Sequence, residues 1–65
     1  MLKLYDIVVL KEDDPKTRIK RGTEGTIVYI HGNGEAYTVE FFDSDGDTFK
    51  TSFDKEFTES ELQKK

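Results

Sequence analysis

Cysteine and tryptophan are absent from the 65 residues, histidine and proline occur once each, as His31 and Pro15, and the only methionine is Met1. With no cysteine and a single histidine, neither a disulfide nor a metal site is at hand to staple the chain. The fold must then stand on one hydrophobic core, near the lower size limit for an independent unit. Residues 1–65 read as one domain of modest stability. No stretch approaches the roughly 20 apolar residues that a membrane span needs. Met1-Leu2-Lys3-Leu4 leads into a short apolar run that ends at Lys11, too short for a secretory core and without a small-residue cleavage site. A soluble cytoplasmic protein is the expectation, which the missing cysteines permit.

What is present is charge, unevenly divided. Met1 to His31 holds six Lys/Arg and five Asp/Glu, hence +1, and Gly32 to Lys65 holds four and nine, hence -5, which together make the net -4. An acidic field repels phosphate backbones and favours a cationic partner or plain solubility. Lys16, Arg18, Lys20 and Arg21 form the one basic cluster.

Leu4 to Leu10 carries β-branched and aromatic residues on both parities, so the spacing predicts a first strand buried on much of both sides, with the inward parity left open. Glu12-Asp13-Asp14-Pro15 ends it, since proline lacks a ladder donor and restrains its predecessor. Lys11 to Arg21 is a polar excursion, and Ile19, its only large apolar residue, is expected to pin it to the core. The glycine pair of Gly22-Thr23-Glu24-Gly25 suits a tight turn followed by close backbone approach. Thr26 to His31 reads as a second strand and Gly32-Asn33-Gly34 as a hairpin reversal. Tyr37, Val39 and Phe41 define the apolar face of a third strand, and Phe42 breaks the alternation as a bulge or an outward aromatic. Asp43-Ser44-Asp45-Gly46-Asp47 reverses the chain again, and Phe49, Thr51 and Phe53 alternate as a fourth strand. Thr58-Glu59-Ser60-Glu61 has capping-box spacing, with Phe57 and Leu62 placed as a hydrophobic staple, and Gln63-Lys64-Lys65 reads as a frayed end.

Short strands at this spacing cannot make two full sheets in so few residues. The expected fold is all-β: a small SH3-like open barrel of about five antiparallel strands with a short C-terminal helical turn. A twisted antiparallel meander that dimerises through an open face is the other solution.

The run Leu4 to Leu10, then Gly22 to Val28, then Gly34 to Phe41 with an acidic turn and a further strand behind it, resembles a small bacterial family known as domain of unknown function four-nine-two-six. The resemblance covers most of the chain, implies a stand-alone bacterial protein and brings no activity with it. Gly22-Thr23-Glu24-Gly25 followed by Ile27 and Ile30 is similar, more distantly, to the KOW motif of ribosomal and transcription-elongation proteins, which sits in the same kind of barrel. That motif carries lysines around its glycines. This chain has Thr23 and Glu24 there, and keeps only Lys20 and Arg21.

For metal chemistry, Asp43, Asp45 and Asp47 at alternate positions with Asp54 further on superficially follow an EF-hand loop. Glycine stands at the fourth loop position instead of the sixth, the twelfth residue is Asp, and the flanks read as strands. A hairpin turn accounts for the pattern better, and no metal or cofactor is expected. Ser44, Ser52 and Ser60 have no neighbouring base, and His31 reads as a solvated strand end, so no enzyme is expected. Gly32-Asn33-Gly34 opens no helix whose amides could hold an anion.

The leading expectation is a non-enzymatic protein-interaction module. In its concrete form it masks a basic surface, as an antitoxin or immunity protein does, with Asp43, Asp45, Asp47, Asp54, Glu56, Glu59 and Glu61 steering encounter and Phe42 as buried anchor. The alternative is a KOW-like nucleic-acid or ribosome-associated accessory that uses Lys16, Arg18, Lys20 and Arg21, with Tyr29 or Phe42 for stacking. A third reading is assembly alone, through an exposed sheet edge of a homodimer.

Overall fold

In the computed structural model, which describes residues 1–65, four strands are joined in one antiparallel sheet: β1 (Ile7–Leu10), β2 (Glu24–His31), β3 (Ala36–Phe41) and β4 (Leu62–Lys64), in the order β3-β2-β1-β4. Two short 3-10 helices, Lys50–Asp54 and Glu59–Glu61, stand between β3 and β4, and there is no α-helix. No helix is long and apolar enough to cross a membrane.

Tyr37, Val39 and Phe41 of β3 are fully buried, as their alternation predicts, and they meet Val8, Leu10 and Ile27 from the neighbouring strands. Leu2, Ile19, Phe57 and Leu62 complete the core, so Ile19 does pin the excursion. The even parity of β1 faces in. Its burial is one-sided, because nothing covers the other face of the sheet and Ile7 remains 44% exposed. The strand is also shorter than predicted. Leu4 and Tyr5 fall in a turn held by the Lys3 N–H on Asp6 Oδ2 at 2.9 Å, with Tyr5 at φ 70.

Gly25 explains the tight entry to β2. A Cβ there would lie 2.7 Å from Val39 Cγ1 and 2.9 Å from the Glu40 carbonyl oxygen, so only glycine lets β2 and β3 approach this closely. The hairpin reversal uses positive φ at Gly32 and Gly34, 61 and 93 degrees. Between Ile27 and Tyr29 the β2–β3 register shifts. Tyr29 then stands outward opposite Thr38, while Ile30 opposite Tyr37 turns toward the core.

The predicted fourth strand at 49–53 is a 3-10 helix instead. Phe42 bridges Thr48 and the Phe49 N–H reaches the Phe41 carbonyl at 2.9 Å, but the ladder stops there. Ser52, fully buried, turns its Oγ to accept the Phe41 N–H at 3.0 Å. One hydroxyl thus satisfies a buried edge donor that a further strand would have paired. Alternation over five residues carries too little burial to enforce a strand against that bond.

Beyond it, the Thr58 capping box forms as the sequence predicts: Glu61 Oε1 accepts the Thr58 N–H at 2.8 Å. Its flanks do unequal work. Phe57 exchanges backbone bonds of 2.7 and 2.8 Å with Tyr37 on the outer edge of β3, whereas Leu62 opens β4 on the far edge of β1. The expected fraying of Gln63-Lys64-Lys65 does not occur. Lys64 pairs with Val8 and the Lys65 N–H donates to the Ile7 carbonyl at 2.9 Å, because β1 would otherwise present bare donors and acceptors. The sheet itself is not closed, since β3 and β4 share no ladder.

Candidate functional site

Asp43, Asp45 and Asp47 lie together in the turn after β3. The Asp43 carboxylate serves its own backbone, with Oδ1 accepting the N–H groups of Asp45 and Asp47 at 2.9 Å each. That leaves the side chains of Asp45 and Asp47 exposed and free of ion pairs, and Asp54, at the end of the first 3-10 helix, is likewise exposed and unpaired. Glu56 is exposed and stands 3.7 Å from His31 Nδ1, while His31 Nε2 shares a 2.7 Å hydrogen bond with Thr38.

Phe42 is half-buried and lines a groove of about 470 Å³ with Phe49, Asp43, Glu24 and Arg21. Its backbone bridges Thr48, and its side chain forms part of the wall of this groove. Sequence reasoning missed the aromatic that does protrude within the acidic segment: Phe53, 54% exposed and adjacent to Asp54. Its predicted parity put it in a core-facing strand, and only the 3-10 turn brings it out.

The basic residues are spread along the excursion. Arg18 and Lys20 line a groove of about 540 Å³ with Asp13, Asp14, Pro15 and Ile19. Lys20 lies 3.8 Å from Asp13, whose other oxygen accepts the Arg21 N–H at 2.8 Å. Arg21 faces the other groove beside Phe42, and Lys16 is exposed and borders neither. Tyr29 stands well along β2 and packs edge-on against His31, with centroids 4.8 Å apart.

A charged cluster that the sequence did not reveal ties the excursion to the C-terminal segment. Lys55 Nζ donates to Asp14 Oδ1 at 2.7 Å and to Glu61 Oε2 at 2.9 Å, and stands 4.7 Å over the Phe57 ring. The Thr17 N–H and hydroxyl donate to Asp14 Oδ2 at 2.8 and 2.7 Å, and the Thr51 hydroxyl donates to the Thr17 carbonyl at 2.9 Å. Burial pushes the Asp14 carboxyl up, but hydrogen bonds from Lys55 and Thr17 with the Lys55 charge outweigh it and hold the group below its ordinary value. Burial likewise opposes the charge of Lys55, and its bonds to Asp14 and Glu61 overcome that and raise it. For Glu61, burial is overcome by the Thr58 N–H and by Lys55, so this carboxyl too is lowered. Every buried polar side-chain atom has a partner. Its carboxylates and ammonium bond one another, and together they clamp the excursion to the C-terminal segment.

The resulting surface is an acidic flank. From Asp43 to Glu61 there are seven Asp/Glu and two Lys. Lys55 is consumed inside the clamp, and Phe53 is exposed next to Asp54 in the chain.

No curated protein and no solved structure matches the chain. A family model does, over residues 4–52, a span that takes in β1 to β3 and most of the first 3-10 helix and stops short of Lys55, Phe57 and β4. The match covers well over half of the sequence, and the chain belongs to the family described as a domain of unknown function, DUF4926.

Proposed function

We propose that this protein is a non-enzymatic interaction module that docks on a cationic surface of another protein through its acidic flank. The observation that carries the reading is Phe53, a half-exposed aromatic beside the unpaired Asp54 in a segment of net charge -5, seven acids against two lysines. Carboxylates without internal partners steer encounter, and an aromatic among them supplies the desolvated anchor. Asp45, Asp47 and Asp54 are the steering groups, with Glu56 beside His31 at their border. Phe53 replaces Phe42 as the anchor. An antitoxin-like or immunity-like masking role is the concrete form, in a cytoplasmic setting.

The fold belongs to the same reading, as a small SH3-like barrel. What supports it is the path of the C-terminal segment, which pairs Phe57 with the outer edge of β3 and, one 3-10 turn later, Leu62 with the outer edge of β1.

A second reading, a KOW-like nucleic-acid accessory, is favoured by Lys16, Arg18 and Arg21, whose side chains make no ion pair, and by the left-handed backbone of Arg18, φ 64. Asp13 and Asp14 in the same loop weigh against it.

The test is capture from a bacterial lysate with the tagged chain, with and without nuclease and at two salt concentrations. A stoichiometric, nuclease-resistant protein that is lost with Phe53→Ala or Asp54→Lys supports the module. Nuclease-sensitive recovery that weakens steeply with salt and disappears when the four cations are neutralised supports the nucleic-acid reading instead.

A further inference from the structure

The outward face of the sheet carries its own apolar surface, remote in chemistry from the acidic flank. Ile7 is 44% exposed, Tyr29 59% and Tyr5 70%, with Leu4 exposed beside them. Tyr5 is held at φ 70, a conformation costly for a bulky residue, while its N–H donates to the Ile27 carbonyl at 2.7 Å, alongside the register shift of β2. The register shift is what turns Tyr29 outward on this face, and Tyr5 is exposed in the turn that leads into β1.

We infer that this face is covered by a second copy of the same chain, the two sheets packing face to face about a twofold axis that runs along the strands. The charge pattern selects this occupant. The register aligns Glu40 on β3 with Thr26 on β2 and Ile7 on β1, and the Lys65 N–H bonds the Ile7 carbonyl, so one row across the sheet reads acidic, neutral, apolar, basic. A twofold along the strands maps that row onto itself reversed. Glu40 of each copy then faces Lys65 of the other, and the Tyr29 strand of each lies over the Ile7 strand of the other.

Within the strands the outward charges are Glu24, Glu40 and Lys65, with Glu24 already paired to Lys65, and Glu56 borders the face beside His31, whereas Asp43, Asp45, Asp47 and Asp54 lie in the segment after β3. Four strands about 4.8 Å apart, of four, eight, six and three residues, present roughly 340 Å² in projection. Corrugated by side chains, two such faces bury on the order of 1,000 Å², about the least that a specific interface needs. A concentration-dependent dimer is the consequence, with both acidic flanks left free. This inference stands whether or not the acidic flank docks a partner.

Sedimentation velocity from micromolar to millimolar concentration tests it on the full chain. Wild type is expected to move from the 7.5 kDa monomer to twice that mass. Tyr29→Glu, on an exposed position that leaves the fold intact by circular dichroism, is expected to weaken association at least about tenfold. Glu40→Lys and Lys65→Glu are each expected to self-associate more weakly than wild type, and an equimolar mixture of the two to recover a heterodimer, because mixing restores both cross-pairs. A monomer throughout the range, association unmoved by Tyr29→Glu, or a mixture no better than its components would each overturn the proposal. So would a monomeric chain that captures a different protein through Tyr29.

Discussion

Lys55 Nζ lies 2.7 Å from Asp14 Oδ1, a contact between residues 41 positions apart that fastens the C-terminal segment to the excursion between β1 and β2. The Asp14 side chain is 5% exposed and that of Lys55 20%, so removing either partner strands a charge in a desolvated place. Lys55→Met is expected to cost about 3 kcal/mol, the lower end for breaking a buried pair, because Lys55 keeps some contact with water. The Asp14→Asn, Lys55→Met double variant should lose clearly less than the sum of the two single losses. Urea denaturation of the four proteins measures the coupling.

The same cluster makes stability depend on pH at both ends. Asp14 and Glu61 titrate below their ordinary values of 3.8 and 4.5 in the folded chain, so their contribution is complete above those values and is lost as pH falls through the lowered ones. Lys55 titrates above its ordinary 10.5, so its contribution is complete below that value and is lost as pH rises through the raised one. Thermal melting should show a plateau between about pH 5 and 10 with a decline on either side. In Lys55→Met the alkaline decline should be shallower.

Gly25→Ala is expected to destabilise by about 1 to 3 kcal/mol, the usual range for overpacking. The added Cβ meets Val39 Cγ1 at 2.7 Å, Phe41 Cδ1 at 2.8 Å and the Glu40 carbonyl at 2.9 Å, and a backbone oxygen in mid-sheet cannot step aside. Gly46→Ala, where nothing stands within 4 Å, should show only the smaller strain of its φ of 85. Thermal melts of the two variants separate steric from conformational cost.

Ser52→Ala should cost about 1 to 3 kcal/mol for so small a change, because it strands the Phe41 N–H, which the Ser52 hydroxyl accepts at 3.0 Å. Ser52→Thr, which keeps the hydroxyl, is expected to lose less. Amide exchange at Phe41 should quicken in the alanine variant alone.

Local signals were legible in the sequence. Tyr37, Val39 and Phe41 announce a buried face, Gly25 a close approach, and Thr58 with Glu61 a capped turn. Each depends on neighbours within a few residues. The strand predicted at 49–53 misled because alternation alone does not say whether a ladder partner exists, and Ser52 supplied another acceptor. Phe42, expected as a bulge residue or an outward aromatic, bridges Thr48 through its backbone and lines the groove beside Phe49. Lys55, Asp14 and Glu61 carry no pattern in sequence, since nothing local says that a lysine will bridge carboxylates 41 and 6 positions away. Phe53 became the aromatic of the acidic flank only once the strand became a 3-10 turn.

The proposed docking role requires the acidic flank to be fixed, tied to both edges of the sheet, and not a loose acidic tail. Native-state hydrogen exchange at the Phe57, Lys11 and Lys65 amides tests it most directly, since these donate to the Tyr37, Glu61 and Ile7 carbonyls at 2.8, 2.9 and 2.9 Å. The account predicts that all three exchange only through global unfolding, as slowly as the amides of β2, and that Lys55→Met accelerates them together. Exchange of Phe57 and Lys65 as fast as in an unstructured peptide, with β2 still protected, would contradict it.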